Sequence, residues 1–189
     1  MDNFNLRKKN QLEKEDRSSI GDWDEKTRGL CKKINLIDDF YTTSSCSGRV
    51  VLIRASEKKQ ENLFLFVSHN LISFNQLKKE LENIQEKGMI YFKQEPCLVV
   101  VACKNLEDAQ DILDLAKNAG WKKCGIEASR KRFVVELMNS DKLEFPIMNK
   151  GKVLVDDDYL KLVVDESNLR LKRSWEKIEK FEEFISNLK

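Results

Sequence analysis

The chain has 189 residues, of which 34 are lysine or arginine and 32 are aspartate or glutamate, and its net charge is +2. This near balance excludes binding of nucleic acid through a global positive field, so any RNA contact must come from local basic patches. The sequence has no apolar run long enough to span a membrane, and its five cysteines and single histidine show no spacing typical of a disulfide framework or a zinc site. We therefore expect a cytoplasmic protein with one domain, residues 1–189, and no metal site.

The N-terminal part of the chain is predicted to hold two helices and a hydroxyl-rich loop. Residues 4–14 are predicted to form the first helix, and residues 23–34 the second, with Asp22 as its N-cap. The run YTTSSCSGR at residues 41–49 combines hydroxyl side chains with a glycine and an arginine. Because such runs have poor helix propensity, we expect a loop whose side chains and backbone N–H groups converge on an anionic or polyhydroxylated ligand.

The middle of the chain predicts a β-hairpin and then a repeated pattern. Apolar runs at residues 49–55 and 63–69, separated by a polar turn, are typical of paired strands. A strand, a helix, a glycine and a strand then follow twice in the same order, with Ser73 and Asn105 as the predicted helix N-caps. This order indicates a possible internal strand–helix–strand duplication.

The remaining strands lead to the predicted fold class. The connections at Pro96 and at Ser129-Arg130 are short, which favours antiparallel neighbours, and further strands are predicted at residues 133–138, 143–147 and 153–155. No Gly-x-Gly occurs, so the glycine-rich loop of a Rossmann fold is missing. We predict an α+β fold, a single domain with a mixed, largely antiparallel sheet.

The C-terminal part is predicted to form two helices. Asp156 is the predicted N-cap of the first, and Ser174 opens the second. Apolar residues at helical spacing give each helix one face for packing.

The hydroxyl-rich run also carries a family resemblance. Residues 41–49 resemble the signature of the third wybutosine-synthesising protein family, whose members are tRNA methyltransferases that use S-adenosylmethionine (AdoMet). The resemblance runs from about Asp16 to the C-terminus, and Ile20 departs from it where a lysine is usual. The other matching segments are residues 16–21 followed by Asp24-Glu25, Ser68-His69, Glu95-Pro96, and residues 119–126 with Trp121 and Cys124 as departures.

The resemblance implies an AdoMet-dependent tRNA N-methyltransferase that does not have the Rossmann fold. Such an enzyme transfers a methyl group from AdoMet to N-4 of 7-aminocarboxypropyl-demethylwyosine, next to the anticodon of tRNA(Phe), in wybutosine biosynthesis. The partner is then the anticodon stem-loop of that tRNA, the source is archaeal in type, and no stable protein partner is implied.

The resemblance also suggests roles for individual residues. Asp39 is the candidate base and His69 a second catalytic candidate. The methionine carboxylate of AdoMet calls for N–H donors or an arginine, and its ribose for a carboxylate. The expected cofactor-binding residues are Ser44, Ser45, Ser47, Gly48, Arg49 and Glu95. The expected substrate-binding residues are Asp16, Ser18, Tyr41, Thr42, Arg54, Arg130 and Arg132.

Alternatives stay open for these residues. The serines can satisfy their own backbone, His69 can be a packing residue, and Pro96 can simply form a turn. A non-catalytic module would bind the anticodon stem-loop through basic clusters, with Tyr91, Trp121 or His69 stacking on a base. A hydrolase would use Ser45 or Cys46 as nucleophile and His69 as base.

Overall fold

The computed structural model describes residues 3–14, 24–56, 63–129 and 132–188. The chain forms two compact units. The first unit consists of Met1–Ser47, Cys97–Ser140 and Ser174–Lys189, and the second of Gly48–Pro96 and Asp141–Arg173. Each unit has its own β-sheet, and a single folding domain over the whole chain stays a prediction.

The elements alternate along the chain between the two units. The helices are α1 (Asn3–Leu12), α2 (Glu25–Leu36), α3 (Phe74–Asn83), α4 (Leu106–Asn118) and α5 (Asp157–Ser186). The strands are β1 (Phe40–Cys46), β2 (Arg49–Arg54), β3 (Phe64–Ser68), β4 (Ile90–Glu95), β5 (Leu98–Cys103), β6 (Lys123–Ser129), β7 (Arg132–Met138), β8 (Leu143–Asn149) and β9 (Lys152–Val153). None of the described helices is long and apolar enough to cross a membrane.

The first unit contains a four-stranded antiparallel sheet in the order β1-β5-β7-β6. Apolar residues at helical spacing on α2 and α4 pack on one face of this sheet, together with the C-terminal part of α5. Trp121 is buried in this core, and its Nε1 donates to the carbonyl of Lys177 at 3.2 Å. The core includes Leu30, Ile34, Phe40, Val99, Val101, Ile112, Val135 and Phe181.

The second unit contains a five-stranded antiparallel sheet in the order β3-β2-β4-β8-β9. Phe92 stacks on Phe145 across the strand pair, with ring centroids 5.3 Å apart. The side-chain amide of Asn168 on α5 makes hydrogen bonds with both backbone groups of Ile72, at 3.0 and 2.8 Å. These bonds hold the segment before α3, where Ser73 caps the helix by accepting from the backbone N–H of Gln76.

Both units contain a split strand–helix–strand arrangement. In the second unit β3 and β4 are joined through α3 and flank β2, and in the first unit β5 and β6 are joined through α4 and flank β7. Since each central strand is antiparallel to both neighbours, the outer strands run parallel to each other in each unit. The repeated pattern in the sequence is therefore confirmed at the level of topology.

The predicted fold class is confirmed in its main terms, an α+β fold with antiparallel sheets and no Rossmann arrangement. All strand pairs among the described residues are antiparallel, so the sheets are not mixed. The hairpin of β2 and β3 is confirmed, and so is the antiparallel pairing of β6 and β7.

Three local predictions are wrong. Most of the hydroxyl-rich run forms β1, because Tyr and Thr favour strands and β5 pairs with this segment. The strands on either side of Pro96 lie in different sheets rather than pairing. The two predicted C-terminal helices are the single helix α5, since Ser174 is buried within it and accepts from Asn139 Nδ2 at 3.3 Å.

The N-caps of α5 and α2 are close to those predicted. Asp156 caps α5 as predicted, accepting from the backbone N–H of Tyr159 at 2.8 Å. The cap of α2 is Asp24, and the predicted cap Asp22 lies outside the described residues.

Candidate functional site

Strand register brings separate sequence motifs together at one end of the second-unit sheet. Arg49 of β2 pairs with Glu95 of β4, and Val50 pairs with Ser68 of β3 on its other side. The segments Gly48-Arg49, Ser68-His69 and Glu95-Pro96 therefore lie at the same end of three adjacent strands. We call this region the Arg49 end, defined by Gly48, Arg49, Ser68, His69 and Glu95.

An ion pair occupies the Arg49 end. Arg49 Nε donates to Glu95 Oε2 at 2.6 Å, and the guanidinium carbon lies 5.0 Å from the centroid of the Phe64 ring. The side chains are 26% and 36% exposed, so the pair stabilises the fold by roughly 0.2–1 kcal/mol at most. Among the described residues the terminal Nη groups of Arg49 have no partner, which leaves N–H donors that can bind an anion with two parallel hydrogen bonds.

Gly48 sets the direction of the chain into β2. Its φ is +94°, a region that residues with a Cβ rarely adopt, and the residue is buried. The glycine of the hydroxyl-rich run is thus required by the backbone conformation.

Gln94 was not singled out by the sequence analysis. Its side chain is fully buried, its Nε2 donates to the carbonyl of Glu95 at 2.9 Å, and its Oε1 has no partner among the described residues. A buried acceptor without a donor costs about 1–3 kcal/mol. The signal in the sequence is the alternation of Ile90, Phe92 and Gln94, which puts an amide where an apolar side chain is expected.

The hydroxyl groups of β1 in the first unit are largely used within the fold. The amide of Asn35 on α2 binds Thr42, accepting from its backbone N–H at 2.7 Å and donating to its Oγ1 at 3.0 Å. Ser45 Oγ accepts from Thr27 Oγ1 at 3.4 Å, whereas Ser44 is exposed. Thr42 and Ser45 therefore fit the alternative that the hydroxyl groups of the run bind other groups of the fold rather than a ligand, and Ser44 fits it less well.

Asp24 connects the start of α2 to the end of the hydroxyl-rich run. Its Oδ1 accepts from the backbone N–H of Lys26 at 3.4 Å. Its Oδ2 accepts from both the backbone N–H and the Oγ of Ser47, at 2.9 and 2.5 Å. Ser47 is fully buried, so this carboxylate fixes the residue directly before Gly48. The resemblance included Asp24 without indicating this contact.

Asp39 lies at the opposite end of β1 from Ser45 and Ser47. The strand Phe40–Cys46 is extended and spans about 20 Å, so Asp39 is separated from these serines by the length of β1. Asp39 Oδ1 accepts from Lys104 Nζ at 2.7 Å, and its carbonyl accepts from the backbone N–H of Lys104 at 3.1 Å. The catalytic role of Asp39 stays a prediction.

Burial makes several thiols poor nucleophiles. It raises the pKa of Cys31 to about 11 and the pKa of Cys97 and of Cys103 to about 12. These thiols are protonated at neutral pH and cannot serve as thiolates. They fill core positions of the first unit.

A cavity of about 250 Å³ lies between α1 and the sheet of the first unit. It brings together two of the predicted substrate-binding residues, Tyr41 and Arg132, which are distant in sequence. The tilted rings of Phe4 and Tyr41 are 5.2 Å apart at its wall. The described residues that line it are Asn3, Phe4, Arg7, Tyr41, Ala102, Cys103, Lys104 and Arg132.

The other predicted site residues fall elsewhere. Arg54 is at the end of β2 away from Arg49 and pairs with Glu86 at 2.6 Å. Asp16, Ser18 and Arg130 lie outside the described residues.

Comparison with known proteins gives consistent matches over nearly the whole chain. Residues 5–187 match the family described as Methyltransferase TYW3. A protein of Methanocaldococcus jannaschii is 36% identical, covering 88% of both chains, and one of Thermococcus sibiricus is 33% identical, covering 99% of this chain and 96% of its own. Both are named tRNA(Phe) 7-((3-amino-3-carboxypropyl)-4-demethylwyosine(37)-N(4))-methyltransferase.

A solved structure has the same fold. The PH1069 protein from Pyrococcus horikoshii is 28% identical and aligns with a TM-score of 0.88, covering 99% of this chain and 96% of its own. The arrangement of the two sheets along the sequence is therefore shared with an experimentally determined protein.

We predict that Asp24→Ala destabilises the protein by about 2–4 kcal/mol. The substitution removes a helix cap and leaves the buried Ser47 hydroxyl and N–H without their acceptor. Urea-induced unfolding followed by circular dichroism measures the change. Glu25→Ala is the matched control, because it removes a neighbouring carboxylate from the same first turn of α2. Equal effects of the two substitutions would contradict this account of Asp24.

Proposed function

The chain belongs to the methyltransferase TYW3 family, and from this membership we propose that it methylates N-4 of 7-(3-amino-3-carboxypropyl)-4-demethylwyosine at position 37 of tRNA(Phe), with AdoMet as donor. The observation that carries the proposal is the match to relatives of this name at 33–36% identity over 88–99% of the chain. The anticodon stem-loop is then the part of the tRNA that is recognised, and the cytoplasm the place of action.

We assign AdoMet binding to the Arg49 end. AdoMet supplies a methyl group activated by a positively charged sulfur. Its carboxylate matches the Nη groups of Arg49, which have no partner among the described residues. The residues present therefore suit the charges of the methionine part of the donor.

Glu95 is a positioning residue in this proposal. Its carboxylate holds Arg49 Nε at 2.6 Å and so fixes the plane of the guanidinium. Because the ion pair uses Nε, it orients the guanidinium and leaves the Nη groups able to donate to the carboxylate of AdoMet. Gly48 contributes by giving the backbone the conformation that places Arg49 at the start of β2.

Positioning is expected to supply more of the rate enhancement than proton transfer. Holding two reactants in line lowers a barrier by about 7–11 kcal/mol, whereas a general base contributes about 10²–10⁴-fold, or roughly 3–5 kcal/mol. N-4 must lose a proton when it is methylated, and His69 at the Arg49 end is the imidazole that can accept it. Asp39, tied to Lys104 at the far end of β1, is not assigned this step.

Two serines of the first unit that precede Gly48 differ in their contacts. Ser47 is held by Asp24, so its role is to fix the chain rather than to bind the donor. Ser44, which is exposed, is the hydroxyl of β1 that remains accessible to a ligand.

We predict that Arg49→Ala weakens AdoMet binding by about 10–100-fold, the effect of losing hydrogen bonds to a charged group. Calorimetric titration with AdoMet and S-adenosylhomocysteine measures it. Arg54→Ala is the matched control for donor affinity, because Arg54 lies on the same strand and forms an equally short ion pair, also 2.6 Å, with Glu86. Unchanged affinity in Arg49→Ala would contradict the placement of the donor.

Methyl transfer tests the proposed reaction itself. Labelled AdoMet is incubated with tRNA(Phe) that carries the aminocarboxypropyl-demethylwyosine base and with the same tRNA lacking it, and the product is digested and identified by mass spectrometry. Label at N-4 of the modified base alone supports the proposal. Tight tRNA binding without AdoMet binding would instead favour the non-catalytic module.

We further predict that Asp39→Asn changes turnover by less than about twofold, far below the 10²–10⁴-fold effect of losing a general base. The reason is its position at the far end of β1 and its ion pair with Lys104. Single-turnover rates at saturating AdoMet and tRNA measure this. A hundredfold loss would restore Asp39 as the base.

A further inference from the structure

We propose that the cavity under α1 binds one nucleotide of the RNA substrate, with the base against Phe4 and Tyr41 and the phosphate on Arg7 and Arg132. The inference rests on the proposed function for the identity of the RNA. The inference is argued from the lining, the charge and the size of the cavity. All of the described lining residues belong to the first unit.

Strand register places the cavity on the sheet face opposite the core. Phe40 pairs with Cys103, which pairs with Phe133, and this row packs in the core of the first unit. The adjacent row is Tyr41, Ala102 and Val134, which points to the other face because successive side chains alternate. Arg132 shares that face with Val134, and Ala102 contributes a small side chain to the lining beside Tyr41.

The helix that covers the cavity is not held by core packing. No residue of α1 is fully buried, although Phe4 is half-buried against Tyr41. Its other contacts with the first unit include Lys8 Nζ, which donates to the carbonyl of Ile37 at 2.6 Å, and Gln11 Nε2, which reaches that of Thr43 at 3.5 Å. The helix α1 is thus attached mainly through polar side chains, and its Phe4 and Arg7 line the cavity. This arrangement suits a helix that contacts a ligand better than one that only supports the fold.

The lining combines positive charge with aromatic rings. Among the described residues of the lining, Arg7, Lys104 and Arg132 are charged and none is a carboxylate. Asn3 Oδ1 accepts from Arg7 Nε at 3.0 Å and Asp39 pairs with Lys104 at 2.7 Å, so two of these cations are held in place at the wall. Cations beside aromatic rings are the combination that binds a phosphate and stacks a base of single-stranded nucleic acid.

The size of the cavity limits what can enter. Its volume of about 250 Å³ is below the 300–1,000 Å³ that is usual for sites enclosing a whole cofactor. A single nucleotide that remains attached to an RNA chain outside is of suitable size. The cavity is thus an RNA contact of the first unit, at the other end of β1 from Ser47.

We predict that Arg7→Gln and Arg132→Gln each weaken tRNA binding by about tenfold, as expected for losing a charge-assisted hydrogen bond. Each should also reduce the slope of log affinity against log salt by about 0.7–0.9, the contribution of one phosphate contact. Fluorescence anisotropy of labelled tRNA(Phe) at several salt concentrations measures both quantities. AdoMet affinity should stay unchanged.

The controls remove the same charge outside the cavity. Lys9→Gln removes a charge from α1 itself, where Lys9 is exposed beside Glu13. Lys123→Gln removes a charge from β6, at the end of the sheet away from Arg132. Phe4→Leu keeps an apolar side chain but removes the ring, and it should weaken tRNA binding about tenfold at an unchanged salt slope. Unfolding curves of each variant show whether the fold is retained.

Two outcomes would overturn the inference, and a third would separate it from the proposed function. Affinity and salt slope equal to those of the controls would exclude the cavity as an RNA contact. Binding of free adenosine or guanosine monophosphate that depends on Arg7 and Arg132, with tRNA affinity unaffected, would assign the cavity to a free nucleotide instead. If methyl transfer is absent but tRNA affinity still depends on Arg7 and Arg132, the proposed function fails and this inference stands.

Discussion

The pairing of β2 with both β3 and β4 is the constraint on which the candidate site depends. Arg49 and Glu95 are separated by most of the second unit in sequence, and only their register makes them cross-strand neighbours at 2.6 Å. A shift by one residue would turn Arg49 toward the core and Gln94 outward, because side chains alternate along a strand. The apolar residues Val50, Leu52 and Phe92 forbid that shift, since they must stay buried.

The hydroxyl-rich run serves two purposes that its composition alone does not separate. Up to Ser47 it is a strand of the first unit, with Thr42, Ser45 and Ser47 bound by polar residues of α2 or its cap. From Gly48 it opens the sheet of the second unit, where Arg49 keeps donors for a ligand. The serines thus fix the chain, and Arg49, which follows the positive φ of Gly48, is the residue proposed to bind the methyl donor.

Local features could be predicted from the sequence where they depend on nearby residues. The hairpin of β2 and β3 and the caps Ser73, Asn105 and Asp156 follow from apolar alternation and side-chain oxygens next to helical runs. The pairing of β1 with β5 and the buried position of Ser174 depend on distant partners, so local patterns suggested a loop and a helix start instead. The cavity under α1 is likewise visible only once α1, β5 and β7 are assembled.

Hydrogen exchange read by mass spectrometry, with and without S-adenosylhomocysteine, tests most directly whether the donor binds at the Arg49 end. The account predicts slower exchange in residues 48–50 and 94–95, where Arg49 is assigned to the ligand and Glu95 holds Arg49 in place. Exchange in residues 102–104, at the wall of the cavity, should not change. Slower exchange in residues 102–104 with none in residues 48–50 would contradict the account and place the donor under α1.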